Sequence, residues 1–146
     1  MPILATQVRI REAIGLDAPE IVRMLLALKA ETIWAKAPSE PEPVQMVMMV
    51  LGMLETPEHH LLVAEEEERL VGLLGGQLAT YPFLPACPYL LEWAYWVDPL
   101  YRGTSLAYRL WGHLRDWAIG QGAWAGFYCE PHGPTEERVR WEIWKE

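Results

Sequence analysis

Residues 89–110 read Tyr-Leu-Leu-Glu-Trp-Ala-Tyr-Trp-Val-Asp-Pro-Leu-Tyr-Arg-Gly-Thr-Ser-Leu-Ala-Tyr-Arg-Leu, and a change of period inside them decides the fold. Tyr89 to Val97 is rich in aromatic and bulky apolar side chains and stops at Asp98-Pro99, which is the signature of a strand. From Arg102 the spacing becomes helical: Ala107, Leu110, Trp111, Leu114, Trp117 and Ala118 share one face, and the helix stops near Gly120 and Gly122. Ala123 to Cys129 follows as another strand. Strand, helix and strand in succession form a βαβ unit with parallel strands, and a ligand binds where the first strand runs into the helix. There the turn is built from Gly103, Thr104, Ser105 and Ala107, small enough for the backbone to approach a ligand, and the free N–H groups at the helix start make an anion cradle suited to pyrophosphate. Neither the G-x-x-x-x-G-K-[S/T] of a Walker loop nor the G-x-G-x-x-G of a dinucleotide fold is present.

Working outward, Gln7 to Ala13 alternates apolar and charged residues as a half-buried strand does. Asp17 suits an N-cap and Pro19 the first turn of a helix that runs to about Trp34, with Ile21, Met24, Leu25 and Leu28 on its apolar face. After the proline-rich turn 37–43, Val44 to Glu55 reads as a second helix, apolar on all sides, so its methionines are core or a subunit contact. His60–Glu65 and Leu70–Thr80 form a hairpin whose acidic tip, Glu65 to Glu68, is expected to be solvated. Tyr81 to Pro88, with three prolines, reads as a loop, and Thr135-Glu136-Glu137 as the capped start of a final helix over Glu136–Glu146. The order is β-α-α-β-β-β-α-β-α: an α/β fold with a mixed central sheet and helices on both faces.

The 146 residues suffice for one domain, 1–146, and not for two. With 12 Lys+Arg against 20 Asp+Glu the net charge is −8, which repels a phosphate backbone and argues against nucleic acid as partner. Two cysteines, Cys87 and Cys129, make no disulfide framework and fit a reducing compartment. No leader pattern and no apolar run near the roughly 20 residues of a membrane span is visible, so the expectation is a cytoplasmic protein without membrane contact. Adjacent His59 and His60 point to opposite sides of a strand, and no metal is expected.

Val97-x-Pro99 followed by Arg102-Gly103-Thr104-Ser105-Leu106-Ala107 resembles the signature of the GNAT superfamily of acyl-CoA-dependent N-acyltransferases, a strand ending in Val-x-Pro and then [Q/R]-x-x-G-x-[G/A]. Arg102 and Ala107 fit it, while Ser105 stands where glycine is usual. The element order over residues 7–146 also fits. The resemblance implies acetyl-CoA as co-substrate, its pyrophosphate on residues 103–107 and its pantetheine arm beside Trp96 and Val97, where the two parallel strands splay. It also implies direct attack by a primary amine, small molecule or peptide, on the thioester, with the oxyanion held by a strand N–H near Trp96 or Val97.

Roughly one lysine-like amine in 2,500 is deprotonated at pH 7, so a base is required. Glu92 is the only carboxylate between Tyr89 and Val97, set among Leu90, Leu91, Trp93, Tyr95 and Trp96, where desolvation raises a carboxyl pKa toward a useful range. Tyr128, at the end of the next parallel strand, faces the same wedge and could return a proton to the thiolate. Glu31 and Trp34, near the wall that the first helices give the acceptor in this family, are the candidate substrate contacts. The C-terminus departs from the pattern: Trp144 stands near the position of the family's general-acid tyrosine, and the closing strands are absent. That leaves a sheet edge which a second copy of the chain could cover. The alternative to an N-acetyltransferase is a catalytically silent acyl-CoA-binding or oligomeric protein of the same fold.

Overall fold

The computed structural model describes residues 7–130 and 138–145. Its strands are β1 (Arg9–Glu12), β2 (His59–Glu66), β3 (Arg69–Tyr81), β4 (Leu84–Val97), β5 (Ala125–Glu130) and β6 (Arg138–Ile143), and its helices α1 (Ala18–Ala30), α2 (Pro43–Leu54) and α3 (Leu106–Gly120). The six strands lie in sequence order in one sheet. All neighbours are antiparallel except β4 and β5, the pair that flanks α3.

Strand alternation divides the core into two layers. On one face Leu62, Ala64, Val71, Leu74, Leu90 and Val97 meet Leu106, Leu110, Leu114 and Ala118 of α3. On the other, Leu61, Val63, Leu70, Leu73, Ala94 and Trp96 meet Ile21, Met24 and Leu25 of α1 and Val50 of α2. Burying each of these large side chains stabilises by ~1.5–3 kcal/mol, so this sandwich carries the fold. Helix α2 is less enclosed than its composition suggests: Met46 and Met53 pack inward, while Val44, Met48 and Met49 are exposed.

Four expectations need correction. The C-terminal segment is a strand and not the helix Glu136–Glu146: Arg138–Ile143 pairs with β5 through Phe127↔Trp141 and Gly126↔Glu142, so the sheet edge passes from β5 to β6. The proposed cap at Thr135-Glu136-Glu137 lies outside the described residues. Leu84 to Pro88 belongs to β4 and not to a loop. Between the pairs Tyr81↔Leu84 and Ala79↔Tyr89 only Thr80 intervenes on β3, while residues 85–88 intervene on β4. The ladder from β4 to β5 begins only at Leu90, so the missing N–H groups of Pro85 and Pro88 cost no pairing there. Asp17 does not cap α1 with its side chain. It takes two hydrogen bonds from Arg11, at 2.8 and 2.9 Å, and one from the Ile14 amide, and that guanidinium holds its carboxyl below the usual range.

Finally, Glu65 is not part of a solvated tip, because Arg11 Nε donates to it at 2.8 Å. The turn proper is Glu67-Glu68, with φ of 50° and 67°. A two-residue hairpin turn with both φ positive favours Asn-Gly, and two glutamates there combine strain with like-charge repulsion. Replacing Glu67→Asn together with Glu68→Gly is expected to stabilise the protein by ~1–2 kcal/mol, read as a higher urea midpoint at unchanged m-value.

Candidate active site

Strands β4 and β5 are held together by one short ladder, Leu90↔Gly126 and Leu91↔Phe127, and then part. Beyond it, residues 92–97 and 128–130 form the two arms of a wedge. At the parting, β4 carries a bulge: Gly75 and Gly76 oppose Ala94 and Glu92, so Trp93 is the extra residue. Trp93 turns toward the α1 and α2 layer and lies across Gly75, where a Cβ would stand 3.0 Å from its ring.

Hydrogen-bond parity shows which backbone groups the β4 arm offers. The Asp98 amide donates to Val71 O at 2.8 Å, so Asp98 faces β3. Alternation then turns the N–H and C=O of Val97 and Tyr95 toward the wedge and those of Trp96 toward β3. Tyr95, which sequence reasoning missed as a contributor to this edge, therefore stands with Val97, while Trp96 contributes a side chain. Its Nε1 donates to Glu31 at 3.4 Å.

The arm ends in a locked turn. Asp98, buried, accepts from the Leu100 amide at 2.9 Å and from Arg69 at 3.1 Å. Thr104 donates its hydroxyl to Tyr101 O at 2.6 Å and accepts from the Leu106 amide at 3.3 Å. Arg102 reaches back: Nε donates to Val97 O at 2.9 Å and a terminal nitrogen to Glu31 at 2.7 Å. Its side chain thus braces the turn against β4 and the end of α1. Gly103 has φ of +80°, and a Cβ there would meet nothing within 4 Å, so glycine is required by conformation and not by crowding. Ser105 precedes α3 without a side-chain cap. The first helical bond runs from the Arg109 amide to Ser105 O, at 3.1 Å, which leaves the amides of Ala107 and Tyr108 without intrahelical acceptors at the open end of the wedge. Such a helix start attracts an anion.

Glu92 and Tyr128 come together as residues of one face. Each stands two positions beyond the rung Leu90↔Gly126, on the α3 side of the sheet, at the first step of its own arm. Tyr95 shares that face. Burial, and next the charge of Glu92, push its phenol up to about 12, so it is a neutral hydrogen-bonding group at physiological pH. The Tyr128 ring packs against Trp111 of α3 at 4.2 Å between centroids, and its hydroxyl donates to Glu142 of β6 at 3.1 Å. Trp144 Nε1 donates to the same carboxylate at 2.8 Å, and the Trp144 ring lies over Gly126, where a Cβ would fall 2.5 Å from it. Glu142 escaped sequence reasoning because its segment was read as helix.

Glu31 joins the upper arm through Arg102 and Trp96, whereas Trp34, 64% exposed, stands on a short helical turn over Ile33–Lys36. The two histidines are separated by the sheet. His60 stacks on Trp117 at 4.4 Å, and burial lowers its pKa, while His59 lies one residue away in β2. Among the described residues no group of three His, Cys, Asp or Glu side chains could hold a metal ion, and no helix is long and apolar enough to cross a membrane.

The sequence pattern that defines the Acetyltransferase (GNAT) family matches residues 27–136. None of the curated proteins compared matches the sequence. Solved structures with the same fold include a transcriptional regulator from Bacillus halodurans C-125, 23% identical over 80% of this chain and 77% of that one, with a TM-score of 0.65. A predicted acetyltransferase with acetyl-CoA from Clostridium acetobutylicum is 15% identical over 80% and 76%, TM-score 0.65. Glucosamine-6-phosphate N-acetyltransferase from Arabidopsis thaliana is 15% identical over 80% and 78%, TM-score 0.64.

Proposed function

The chain belongs to the GNAT acetyltransferase family, and from that premise we propose that residues 1–146 act as one domain transferring an acetyl group from acetyl-CoA to a primary amine by direct attack. The observation that supports this most is the parting of β4 and β5 next to the α3 amides that lack intrahelical acceptors, because one ligand with an anionic end and an extended amide-bearing arm satisfies both. The amides of the turn 103–105 and those of Ala107 and Tyr108 take the pyrophosphate, with Gly103 allowing close approach. The pantetheine arm takes the wedge-facing N–H of Val97 and C=O of Tyr95. The Val97 carbonyl already accepts from Arg102, so the arm competes with or bends around that guanidinium.

The chemistry then follows from the arms. An ammonium cannot attack, and Glu92 receives its proton. The nitrogen adds to the thioester carbonyl, whose oxygen gains negative charge and is held by the wedge-facing N–H of Tyr95, the nearer of the two such groups to Glu92. In the low-dielectric wedge such a donor can be worth ~3 kcal/mol at the transition state. Collapse breaks the carbon–sulfur bond, Tyr128 supplies a proton to the leaving thiolate and is reprotonated from Glu92, and the second proton of the attacking nitrogen then passes to Glu92 and on to solvent. From the ammonium, two N–H protons are lost: one appears on sulfur and one is released.

A melting experiment tests the binding half of this reading. Acetyl-CoA at 100-fold over its Kd is expected to stabilise the protein by about 2.7 kcal/mol, seen as a rise in Tm that adenosine alone does not reproduce. An unchanged Tm at millimolar acetyl-CoA would remove the premise.

A further inference from the structure

We propose that the amine acceptor is carried on an aromatic or planar apolar body and that Phe127 and Trp141 select it; this rests on the acetyl-transfer reading above. The platform lies on the face of the sheet opposite α3. One row of paired residues crosses five strands there: His59↔Gln77, Gln77↔Leu91, Leu91↔Phe127 and Phe127↔Trp141. Its central pair, Leu91↔Phe127, is the last rung before β4 and β5 part, so this row forms the floor at the apex of the wedge.

The row changes character along its length. Its polar members, His59 and Gln77, lie at the β2 and β3 end. From Leu91 to β6 it holds no charged residue and becomes aromatic: the Phe127 and Trp141 centroids are 4.8 Å apart, and Tyr89, on the same face, lies 5.4 Å from Trp141. Helices α1 and α2 spend their buried side chains on β2, β3 and the far half of β4. They leave the aromatic end open, with Trp141 57% exposed.

Position makes this platform an acceptor surface. The anion cradle belongs to α3, on the face that also carries Glu92, so an acyl donor seated there reaches the wedge from that side, while an acceptor whose body rests on the opposite face passes its amine into the gap where β4 and β5 part. An acceptor rich in hydroxyl groups would lose hydrogen bonds to water on this floor without gaining partners. A ring stacks on Phe127 and Trp141, gaining up to ~10-fold in affinity beyond burial. An ammonium is drawn in by the net charge of −8 and attracted by the exposed ring face.

The test measures kcat/KM with acetyl-CoA for 2-phenylethylamine, tryptamine, ethylamine and glucosamine. The wild-type protein is expected to favour the two aryl amines over the other two by at least ~10-fold, a stacking interaction's worth. In Trp141→Ala the ratio of phenylethylamine to ethylamine is expected to fall ~10-fold, through KM, and in Trp141→Phe to return most of the way. A wild-type preference for glucosamine, or an unchanged ratio in Trp141→Ala, would overturn the proposal while leaving acetyl transfer intact. So would light scattering that shows a dimer lost in Trp141→Ala, since a second copy would then own this surface. Failure of every amine in a protein that does not bind acetyl-CoA would instead sink the underlying reading.

Discussion

Substituting Glu92→Gln lowers kcat for acetyl transfer by ~10²–10³-fold, the usual contribution of a positioned general base, and leaves the acetyl-CoA Kd within about twofold. The replacement keeps shape and hydrogen-bonding capacity and removes only the ability to hold a proton, so a loss of this size isolates proton transfer from packing. The position motivates the expectation. Glu92 is the first residue of the β4 arm after the bulge, on the face shared with Tyr128, and close enough to the Tyr95 phenol to help raise its pKa. Supplying the amine at high pH, where the free base is abundant, should recover much of the lost rate, because the barrier removed by Glu92 is then removed by solvent. Unaltered turnover across that pH range would take the role of base away from Glu92.

The second large effect concerns the cradle. Gly103→Val is expected to raise the acetyl-CoA Kd by ~30-fold, about 2 kcal/mol, because a β-branched residue resists the left-handed conformation that turns the loop amides outward. The space around that glycine is empty, so the loss would come from backbone conformation and not from a clash. Gly103→Asn separates the two causes. Asparagine tolerates φ near +80°, and its variant should keep most of the affinity. Equal losses in both variants would mean that side-chain bulk, and not backbone geometry, governs the site.

The parts of the fold that were legible in the chain are those where one local signal dominates. Tyr89–Val97, the small-residue turn and the apolar face of α3 sit where period and turn residues placed them, because burial on one face imposes the period. The C-terminal strand was misread because two signals compete there. Thr135-Glu136-Glu137 has the composition of a helix start, yet Val139, Trp141 and Ile143 alternate with Arg138, Arg140 and Glu142 at period two. Pairing with β5 decides between them, and that is a tertiary contact.

Proline content misleads in the same way at Pro85 and Pro88, since both fall between ladder rungs, where no pairing needs their missing N–H groups. At the site, the residue types were readable and the parity was not. Whether Trp96 or Tyr95 turns its backbone to the wedge depends on the single bond from the Asp98 amide to Val71, which no spacing reveals. Likewise Arg102, matched by motif to an anion loop, spends its side chain on Val97 and Glu31.

The most direct measurement is the joint yield of free thiol and N-acetylated amine when the purified protein is mixed with acetyl-CoA and a panel of primary amines. Both products are expected to form in equal amounts, only when protein and amine are present together, and Glu92→Gln is expected to abolish nearly all of it. A protein that binds acetyl-CoA tightly and releases no thiol with any amine would contradict acetyl transfer and leave a binding protein in its place.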